Sequence, residues 1–393
     1  MARRLLIAGG GIGGLAAALA AARAGWQVQV LEQAAAFSEV GAGVQLGPNA
    51  TRVLRDLGRL DVVRHAACVP QRLVARDARR GHVLGTLPLG SDFEARYGAP
   101  YLTVHRADLH AALLQGVQEL PIGLHPDCPL VAVQDTAEGV RVLTAGGRAL
   151  DGEALVGADG LWSLVRGSVV TDGAPLPSDH VAYRALIPMD RLPAAWQAQE
   201  VTAWLGPHLH AVTYPVRGGA LLNLVCVVRQ PLAGPRSGWD LPGTAQRLRA
   251  ALGDVCPPLE QAMEAAPGWG LWVLHDRAPV VGAHQMARGR VALLGDAAHP
   301  MRPYLAQGAA MALEDARALG RSLEGVRGAN PDVQAALQRY ARERWPRVAR
   351  VQRRSLRNAT IFHATGLLRF ARDRVMQVPR VMDVPWLYAH GAR

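Results

Sequence analysis

Five glycines near the amino terminus have the spacing that lets a backbone bind a pyrophosphate. They are Gly9, Gly10, Gly11, Gly13 and Gly14, and positions 9, 11 and 14 satisfy the pattern G-x-G-x-x-G. In such a turn the first glycine reverses the chain, the second lets the backbone approach the phosphates, and the third lets a helix pack on a strand. The pyrophosphate then rests on unpaired amides at the amino terminus of the helix, where the helix dipole favours negative charge.

Glu32 supplies the second chemical group of a dinucleotide site. It follows a strand predicted for Gln27–Leu31, and its carboxylate is placed to accept hydrogen bonds from an adenosine ribose. A carboxylate here would repel a 2'-phosphate, so the expected nucleotide is FAD or NAD rather than NADP.

The elements around these residues form a strand, turn, helix and strand. Leu5–Ala8 predicts the first strand, and the alanine-rich segment after the glycines predicts the helix. An ordinary glycine-rich turn would lack this order of elements.

The first 24 residues also resemble a secretory signal, with two arginines, an apolar stretch and small residues. Cleavage there would remove the nucleotide site, so we expect the segment to belong to the mature protein.

Two acidic motifs end short apolar runs farther along the chain. Ala154–Ala158 leads into Asp159-Gly160, with Ser163 and Arg166 beyond, and Arg290–Leu294 leads into Gly295-Asp296. Short apolar runs of this kind are typical of buried parallel strands. A helix is predicted to begin near Gln307-Gly308 and to continue through Leu319.

Two junctions in the first hundred residues allow more than one interpretation. The glycine-containing loop Phe37–Asn49 is either a mobile cover for the cofactor or a surface connection. It is followed by a helix to about Leu57, with Asn49 as the expected N-cap. Arg106 follows the strand Tyr101–His105 and opens a helix near Ala107 or Asp108. Such an arginine can reach a phosphate or ribityl chain, or be a surface charge.

The middle of the chain changes to strands without helices between them. Val181–Ile187, Val201–Leu205, His208–Tyr214 and Leu221–Val228 predict an antiparallel sheet, hence a second domain inserted in the first. In the strand HLHAVTY, alternation places His208, His210, Val212 and Tyr214 on one face. His210 and Tyr214 are four positions apart, about 13 Å at strand rise, so they can line opposite ends of a pocket for one ring.

Composition excludes several classes of protein. The chain has 393 residues and a formal charge of +11, and it lacks the roughly 20 consecutive apolar residues that a membrane span needs. Four separated cysteines indicate neither a zinc site nor a disulfide framework, which fits a reducing cytoplasm. Arginines recur at helical spacing from 339 to 357. We interpret them as a solvated helix face, with nucleic-acid contact as the minor alternative.

Three motifs together resemble the single-component FAD-dependent aromatic hydroxylases, which have the p-hydroxybenzoate hydroxylase fold. They are the glycine turn, LVGADGLWSLVR (155–166) and RVALLGDAAHPMRPYLAQGAAMALEDA (290–316). Within this family, GAGVQLGPNATRVLRDLG (41–58) and YLTVHRADLHAALL (101–114) look most like salicylate hydroxylase, 3-hydroxybenzoate 6-hydroxylase and 6-hydroxynicotinate 3-monooxygenase.

The resemblance implies an α/β fold in which a Rossmann-like FAD-binding domain carries an inserted, mainly antiparallel β-sheet domain for the substrate and C-terminal helices. We expect residues 1–72, 100–176 and 275–325 to form the FAD-binding domain. Residues 73–99 and 177–274 would form the substrate-binding sheet, and residues 326–393 the C-terminal helical region.

The resemblance also implies roles for the cofactor-binding residues. Glu32 would hold the adenosine ribose, Gln45 and Arg106 would contact FAD, and Asp296 would bind the ribityl chain. Asp159 would help both FAD and the pyridine nucleotide. The helix that opens at Gly308 and Ala309 would point its positive end at the flavin, where it can stabilise the anionic reduced form by up to about 2 kcal/mol.

By the same resemblance, NADH would reduce the flavin and leave, and O2 would give a C4a-hydroperoxide that hydroxylates an electron-rich ring. The substrate would be a small phenolic or hydroxypyridine carboxylic acid. A deprotonated phenol reacts faster, so a base is expected. His210 would be that base or the phenol partner, Tyr214 an orienting donor, and Tyr304 would reach the pocket from the flavin side. Arg302 is either a ligand for the substrate carboxylate or an exposed arginine.

Two other functions share the glycine turn. One is a flavin-dependent oxidoreductase that inserts no oxygen, and the other is a flavin-containing sensor without turnover. The His-Tyr strand and the complete Gly-Asp loop argue against both. We expect no nucleic-acid partner and no metal. The sequence leaves open a homodimer, the regiochemistry and whether a carboxylate is lost.

Overall fold

The computed structural model describes residues 3–38, 41–136, 138–230, 241–324, 326 and 332–391. Strands account for the predicted nucleotide unit, the inserted sheet and two small sheets. They are β1 (Arg4–Ala8), β2 (Gln27–Leu31), β3 (Gly43–Leu46), β4 (Arg72–Asp77), β5 (Val83–Pro88), β6 (Leu102–His105), β7 (Gly123–His125), β8 (Leu130–Asp135), β9 (Val140–Thr144), β10 (Ala149–Gly152), β11 (Ala154–Gly157), β12 (Leu176–Pro188), β13 (Glu200–Gly206), β14 (Leu209–Val216), β15 (Leu221–Arg229), β16 (Leu241–Gly243), β17 (Trp269–Asp276), β18 (Ala287–Arg288) and β19 (Val291–Leu293).

Helices lie mainly in the first and last thirds of the chain. They are α1 (Ile12–Arg23), α2 (Pro48–Asp56), α3 (Leu60–Ala66), α4 (Ser91–Tyr97), α5 (Arg106–Gln118), α6 (Ala245–Leu252), α7 (Pro257–Ala265), α8 (Gly308–Glu324), α9 (Val333–Phe362), α10 (Gly366–Met376) and α11 (Pro385–Tyr388).

A six-stranded sheet carries the predicted nucleotide motifs. Its order is β18-β19-β11-β1-β2-β7, and all neighbours are parallel except the edge pair of β18 and β19. The inner strands β1, β11 and β19 are almost continuously apolar and buried, as expected for a parallel sheet that is covered on both faces. The alanine-rich α1 allows close packing on α8: a Cβ added at Gly320 would lie 2.9 Å from the Cβ of Ala20.

An eight-stranded sheet forms the second layer of the fold, in the order β16-β17-β12-β15-β14-β13-β4-β5. Its neighbours are antiparallel except β13 and β4. The sheet takes strands from both stretches predicted to form the substrate domain, so the predicted fold class is confirmed. The domain boundaries themselves stay a prediction.

The structure corrects two local predictions. His208 is not part of the strand, because it has a φ of 59° in the turn before β14. Asn49 is not an N-cap: the N-cap of α2 is Gly47, two residues earlier, and the helix begins with Pro48. The Asn49 amide is buried and donates to Gln307 Oε1 at 3.0 Å and to Glu314 Oε1 at 2.8 Å. Its role is therefore to join α2 to α8.

Within the described ranges, no helix is both long enough and apolar enough to cross a bilayer. All four cysteines are buried and free. The part of the chain that the structure describes contains no group of three or more histidine, cysteine or acidic side chains arranged to hold a metal ion.

Candidate active site

The glycine turn has the close approaches that its sequence predicts. Gly9 follows β1 with a φ of +102°, and a Cβ added there would lie 2.3 Å from the carbonyl oxygen of Ala158. A Cβ at Gly14 would lie 1.9 Å from the carbonyl oxygen of Gly9. Neither position has room for a side chain, and Gly11 is the N-cap of α1. The turn is thus a backbone cradle whose helix amides are available to a phosphate.

Glu32 lies against this cradle. Its carboxylate accepts hydrogen bonds from the N–H groups of Gly10 at 2.6 Å and Ala34 at 2.8 Å. The acid predicted to bind a ribose is therefore beside the turn predicted to bind a pyrophosphate, as one dinucleotide requires.

The four predicted motif positions meet at one edge of the six-stranded sheet. In the strand register Ala8 pairs with Leu31 and Gly157, and Gly157 pairs with Leu293. Gly9, Glu32, Asp159 and Asp296 follow these strands, so all four lie at the carboxyl ends of neighbouring parallel strands. At the usual strand spacing this row is roughly 14 Å long. Such an edge is where open α/β sheets bind nucleotides.

Hydrogen bonds join the second and third motifs. The Asp159 carboxylate accepts from Ser163 Oγ at 2.5 Å and from the N–H of Val165 at 3.1 Å, and burial raises its pKa. Arg166, buried beyond this turn, donates to the carbonyl oxygens of Ala297 and Ala298, each at 2.8 Å. Arg166 therefore fixes the loop that holds Asp296, a role that the sequence did not reveal.

Arg106 lies on the side of α5 that contacts the glycine turn. His110 is four residues later, and its Nε2 donates to the carbonyl oxygen of Gly10 at 2.8 Å. Residues four apart share a helix face, so Arg106 is presented toward the same region. His110 itself was missed, because a histidine on a helix carries no local signal of such a contact.

Gln45 lies farther along, between the glycine-containing loop and the second sheet. Its Oε1 accepts from the Tyr101 hydroxyl at 2.7 Å, and its side chain lies near the Tyr214 hydroxyl. β3 passes directly over Tyr214, because a Cβ added at Gly43 would lie 2.4 Å from the ring. The first residues of α8 face open space: a Cβ at Gly308 would meet no atom within 4 Å.

These features fit FAD. The cradle at Gly9 to Gly14, the ribose acid Glu32, the carboxylates Asp159 and Asp296 and the helix start at Gly308 and Ala309 provide one group for each part of such a cofactor. The contacts of the individual residues with FAD stay predictions.

A strip of partly exposed residues, which we call the trough, crosses the face of the eight-stranded sheet that carries His210 and Tyr214. Directly paired residues of antiparallel strands project to the same side. His210 pairs with Val227, which pairs with Ala182, and all three are buried. The next row on this face consists of Val212, Val225 and Arg184, which are all partly exposed. Tyr214 and Asn223 in the third row are buried again. His210 and Tyr214 thus flank an accessible strip.

Tyr304 joins the His210 end of the trough. Both side chains are only 2% exposed, and their ring centroids are 4.8 Å apart. The Tyr304 hydroxyl lies beside the Arg302 guanidinium but makes no well-formed hydrogen bond to a described residue. Burial raises the pKa of Tyr304, so this hydroxyl stays protonated and can donate to a ligand. The structure therefore brings all three predicted substrate residues to one face.

Burial also determines the charge of His210. It lowers the pKa of His210 to about 3, and nearby His180 adds to the effect. The imidazole is consequently neutral near pH 7. Burial raises the pKa of Tyr214 and outweighs the opposite effect of nearby Gln45, so Tyr214 remains a neutral donor.

Helix α9 positions the loop that carries Tyr304. Three of its polar side chains donate to carbonyl oxygens of every second loop residue: Gln352 to Pro300 at 3.0 Å, Ser355 to Arg302 at 2.7 Å and Asn358 to Tyr304 at 3.1 Å. This arrangement was not predicted, because the arginines are the most visible feature of the helix in the sequence.

The arginine interpretation was correct for one side of α9 only. The arginines at 339, 342, 350, 353 and 357 are exposed. Arg344 is buried and pairs with Glu314 at 2.9 Å and with Asp315 at 2.7 Å, and Arg347 also binds Glu314. Arg302 is likewise not a free surface charge, since two of its nitrogens bind the carboxylate of Asp276.

Comparisons with known proteins agree with this architecture. A family model described as FAD binding domain matches residues 3–355. The chain is 39% identical to a 3-hydroxybenzoate 6-hydroxylase of Polaromonas naphthalenivorans, over 98% of this chain and 95% of that protein. It is 36% identical to a 6-hydroxynicotinate 3-monooxygenase of Bordetella bronchiseptica, over 89% of this chain and 90% of the relative.

A solved structure of a salicylate hydroxylase substrate complex superposes with a TM-score of 0.82 at 25% identity, covering 98% of this chain and 95% of that one. The sequence match and the fold match therefore both extend over nearly the whole chain. The chain belongs to the FAD-binding-domain family and, within it, to the FAD-dependent aromatic hydroxylases.

Proposed function

We propose that this protein uses NADH and O2 to hydroxylate a small phenolic or hydroxypyridine carboxylic acid. The relatives named above are called hydroxylases of 3-hydroxybenzoate and 6-hydroxynicotinate, both aromatic acids of this kind. When bound, FAD would supply an electrophilic oxygen atom after reduction by NADH, by the hydroperoxide route that the resemblance implies.

The observation that carries the proposal is the accessible strip between His210 and Tyr214. Its floor is apolar, with Val212 and Val225, and polar groups stand at its ends. This combination suits a single flat ring with a hydroxyl at one end. His210 would bind the substrate hydroxyl through Nε2, because its Nδ1 already bonds another side chain. Tyr304 and Tyr214 would donate hydrogen bonds that orient the ring.

Arg184 would bind the substrate carboxylate. It stands in the same partly exposed row as Val212 and Val225, with its guanidinium 5.0 Å from the ring centroid of Trp272. A guanidinium binds a carboxylate through two parallel hydrogen bonds.

Substrate-dependent NADH oxidation tests this function. Purified protein should be yellow, and a panel of hydroxybenzoates and hydroxypyridine carboxylic acids should contain at least one compound that accelerates NADH consumption. The matching ring without its hydroxyl group serves as control and should not be hydroxylated. A panel with no active compound would contradict the assigned substrate class. Turnover without an added oxygen in the product would favour an oxidoreductase instead.

A further inference from the structure

His363 is a buried residue that the proposed chemistry has not yet used. It is the C-cap of α9, and its Nε2 lies 2.8 Å from Nδ1 of His210. The two rings are 5.1 Å apart between centroids, and the Tyr304 ring is 5.6 Å from that of His363. The helix that holds the Tyr304 loop therefore also ends on the proposed substrate histidine.

The contact couples the protons of the two rings. Burial lowers the pKa of His210 to about 3 and that of His363 to about 2, with each ring surrounded by other basic groups. A neutral imidazole carries one N–H, and a bond between two ring nitrogens needs one donor and one acceptor. If His210 donates through Nδ1, its Nε2 is a free lone pair. If His363 donates instead, His210 carries its proton on Nε2.

A buried, isolated His210 would be a poor base, because accepting a proton would leave a charged ring in an apolar site. The hydrogen bond to His363 lets His210 accept a proton at one nitrogen and lose one from the other, so its ring stays neutral. The phenol proton moves to His210 Nε2, and the His210 Nδ1 proton moves to His363 Nε2. His363 Nδ1 is buried and bonds no described residue, so its proton reaches water through local opening at the carboxyl end of α9. Both rings are neutral before and after, the substrate becomes a phenolate, and His210 Nε2–H donates to it.

We propose that His363 is a positioning residue that holds the His210 ring and exchanges a proton with it, so that the bound phenol can ionise. The inference rests on the proposed function. Among the described residues, the titratable or charged groups that influence His363 are His180 on β12, His208 before β14, His210 on β14 and Arg302 before α8. His180 lies outward of the pair, with its Nδ1 2.8 Å from Asp179, whose side chain is 44% exposed.

Two variants and one control test the inference. His363→Leu removes the hydrogen bond and fills the same space with an apolar side chain. His363→Gln can bond His210 Nδ1, but its amide cannot accept a proton at one atom and release one from another as an imidazole does. His65→Gln is the control, because His65 is an exposed histidine on α3, outside both the eight-stranded sheet and α9. FAD content and thermal melting establish that each variant is folded.

The readout is the ionisation of a bound phenol, followed in ultraviolet difference spectra of 3-hydroxybenzoate at several pH values. Wild type and His65→Gln should bind the phenolate near pH 7. His363→Leu should bind the phenol form and lose about 10²-fold in kcat, the usual contribution of a general base. His363→Gln should restore KM toward wild type but not the ionisation.

Three outcomes overturn the inference. A His363→Leu protein that ionises the phenol as wild type does would remove the role of His363 and leave the proposed function intact. If no phenolic acid binds or is turned over by wild type, the proposed function fails and this inference fails with it. If the leucine variant does not fold, nitrogen-15 shifts of the wild-type rings decide: charged rings, or the absence of a shared hydrogen bond, would contradict the coupling.

Discussion

The carboxylate of Asp315, inside α8, accepts a hydrogen bond from the N–H of Gly295 at 3.0 Å. Gly295 directly precedes Asp296, the acid expected to bind the ribityl chain. The same carboxylate lies 2.5 Å from His299 Nε2 and 2.7 Å from Arg344 Nε. One buried acid therefore fixes the third cofactor motif to α8 and, through Arg344, to α9.

Breaking this network should destabilise the protein strongly. Arg344→Met leaves Glu314 and Asp315 buried without their guanidinium, and loss of one partner from a buried pair costs about 3–5 kcal/mol. Urea unfolding should measure that loss in the free energy of unfolding. Arg342→Met, on the exposed side of the same helix, should change it by less than about 0.5 kcal/mol. Equal effects of the two substitutions would contradict the assigned role of Arg344.

The network also predicts how stability depends on pH. Burial opposes ionisation of Asp315 and Glu314. The basic side chains that bind them, His299 and Arg344 for Asp315 and Arg344 and Arg347 for Glu314, nevertheless lower their pKa values below the ordinary 3.8 and 4.5. A lowered folded-state pKa stabilises the protein above the unfolded value. Their contribution should be complete above about pH 5 and should fall as the pH drops through the folded-state pKa values.

Unfolding free energies measured from neutral pH down to acid should therefore decline less steeply for Arg344→Met than for wild type. Parallel curves would show that the two carboxylates do not depend on Arg344 for their ionisation.

The glycine cradle predicts a loss of cofactor rather than of substrate affinity. Gly14→Ala would place a Cβ 1.9 Å from the carbonyl oxygen of Gly9, so the turn must open. The purified variant should lose its bound FAD, as measured by flavin absorbance. Gly167→Ala is the matched control, because its Cβ would meet nothing within 4 Å. Normal FAD content in Gly14→Ala would remove the pyrophosphate role of the turn.

The sequence predicted those features of the fold and the site whose signals lie within a few consecutive residues. The glycine turn, Glu32, Asp159 and Asp296 carry their meaning within a few residues, and the parallel sheet brings their strand ends together. Alternation in β14 likewise placed His210 and Tyr214 on one face. Each inference needed only the geometry of one element.

Contacts between distant elements could not be predicted in this way. His363 meets His210 because α9 ends beside β14, 153 residues away in sequence. Arg166, Asn223 and Arg184 acquire their neighbours from sheet pairing and loop packing, which a polar residue in isolation does not reveal. The buried Arg344 looked like its exposed neighbours, since only the position of α8 distinguishes the two faces of α9.

Arg184 should determine the preference for acids. Arg184→Met removes the charge but keeps most of the apolar volume, and a charged hydrogen bond contributes about 1.5–3 kcal/mol. The KM for the carboxylic acid should rise by about 10- to 100-fold. The KM for the corresponding phenol without a carboxylate should be unchanged, which makes that compound the control. A similar rise for both compounds would indicate a general disturbance of the trough instead.

Incorporation of labelled oxygen tests the central claim most directly. Wild-type protein loaded with FAD would be incubated with NADH, oxygen-18 gas and the panel compound that most accelerates NADH oxidation. The mass of the product would then be measured by mass spectrometry. We predict a product with one added oxygen-18 atom, and none with His210→Ala. A product without oxygen from the gas, despite continued NADH oxidation, would contradict the account.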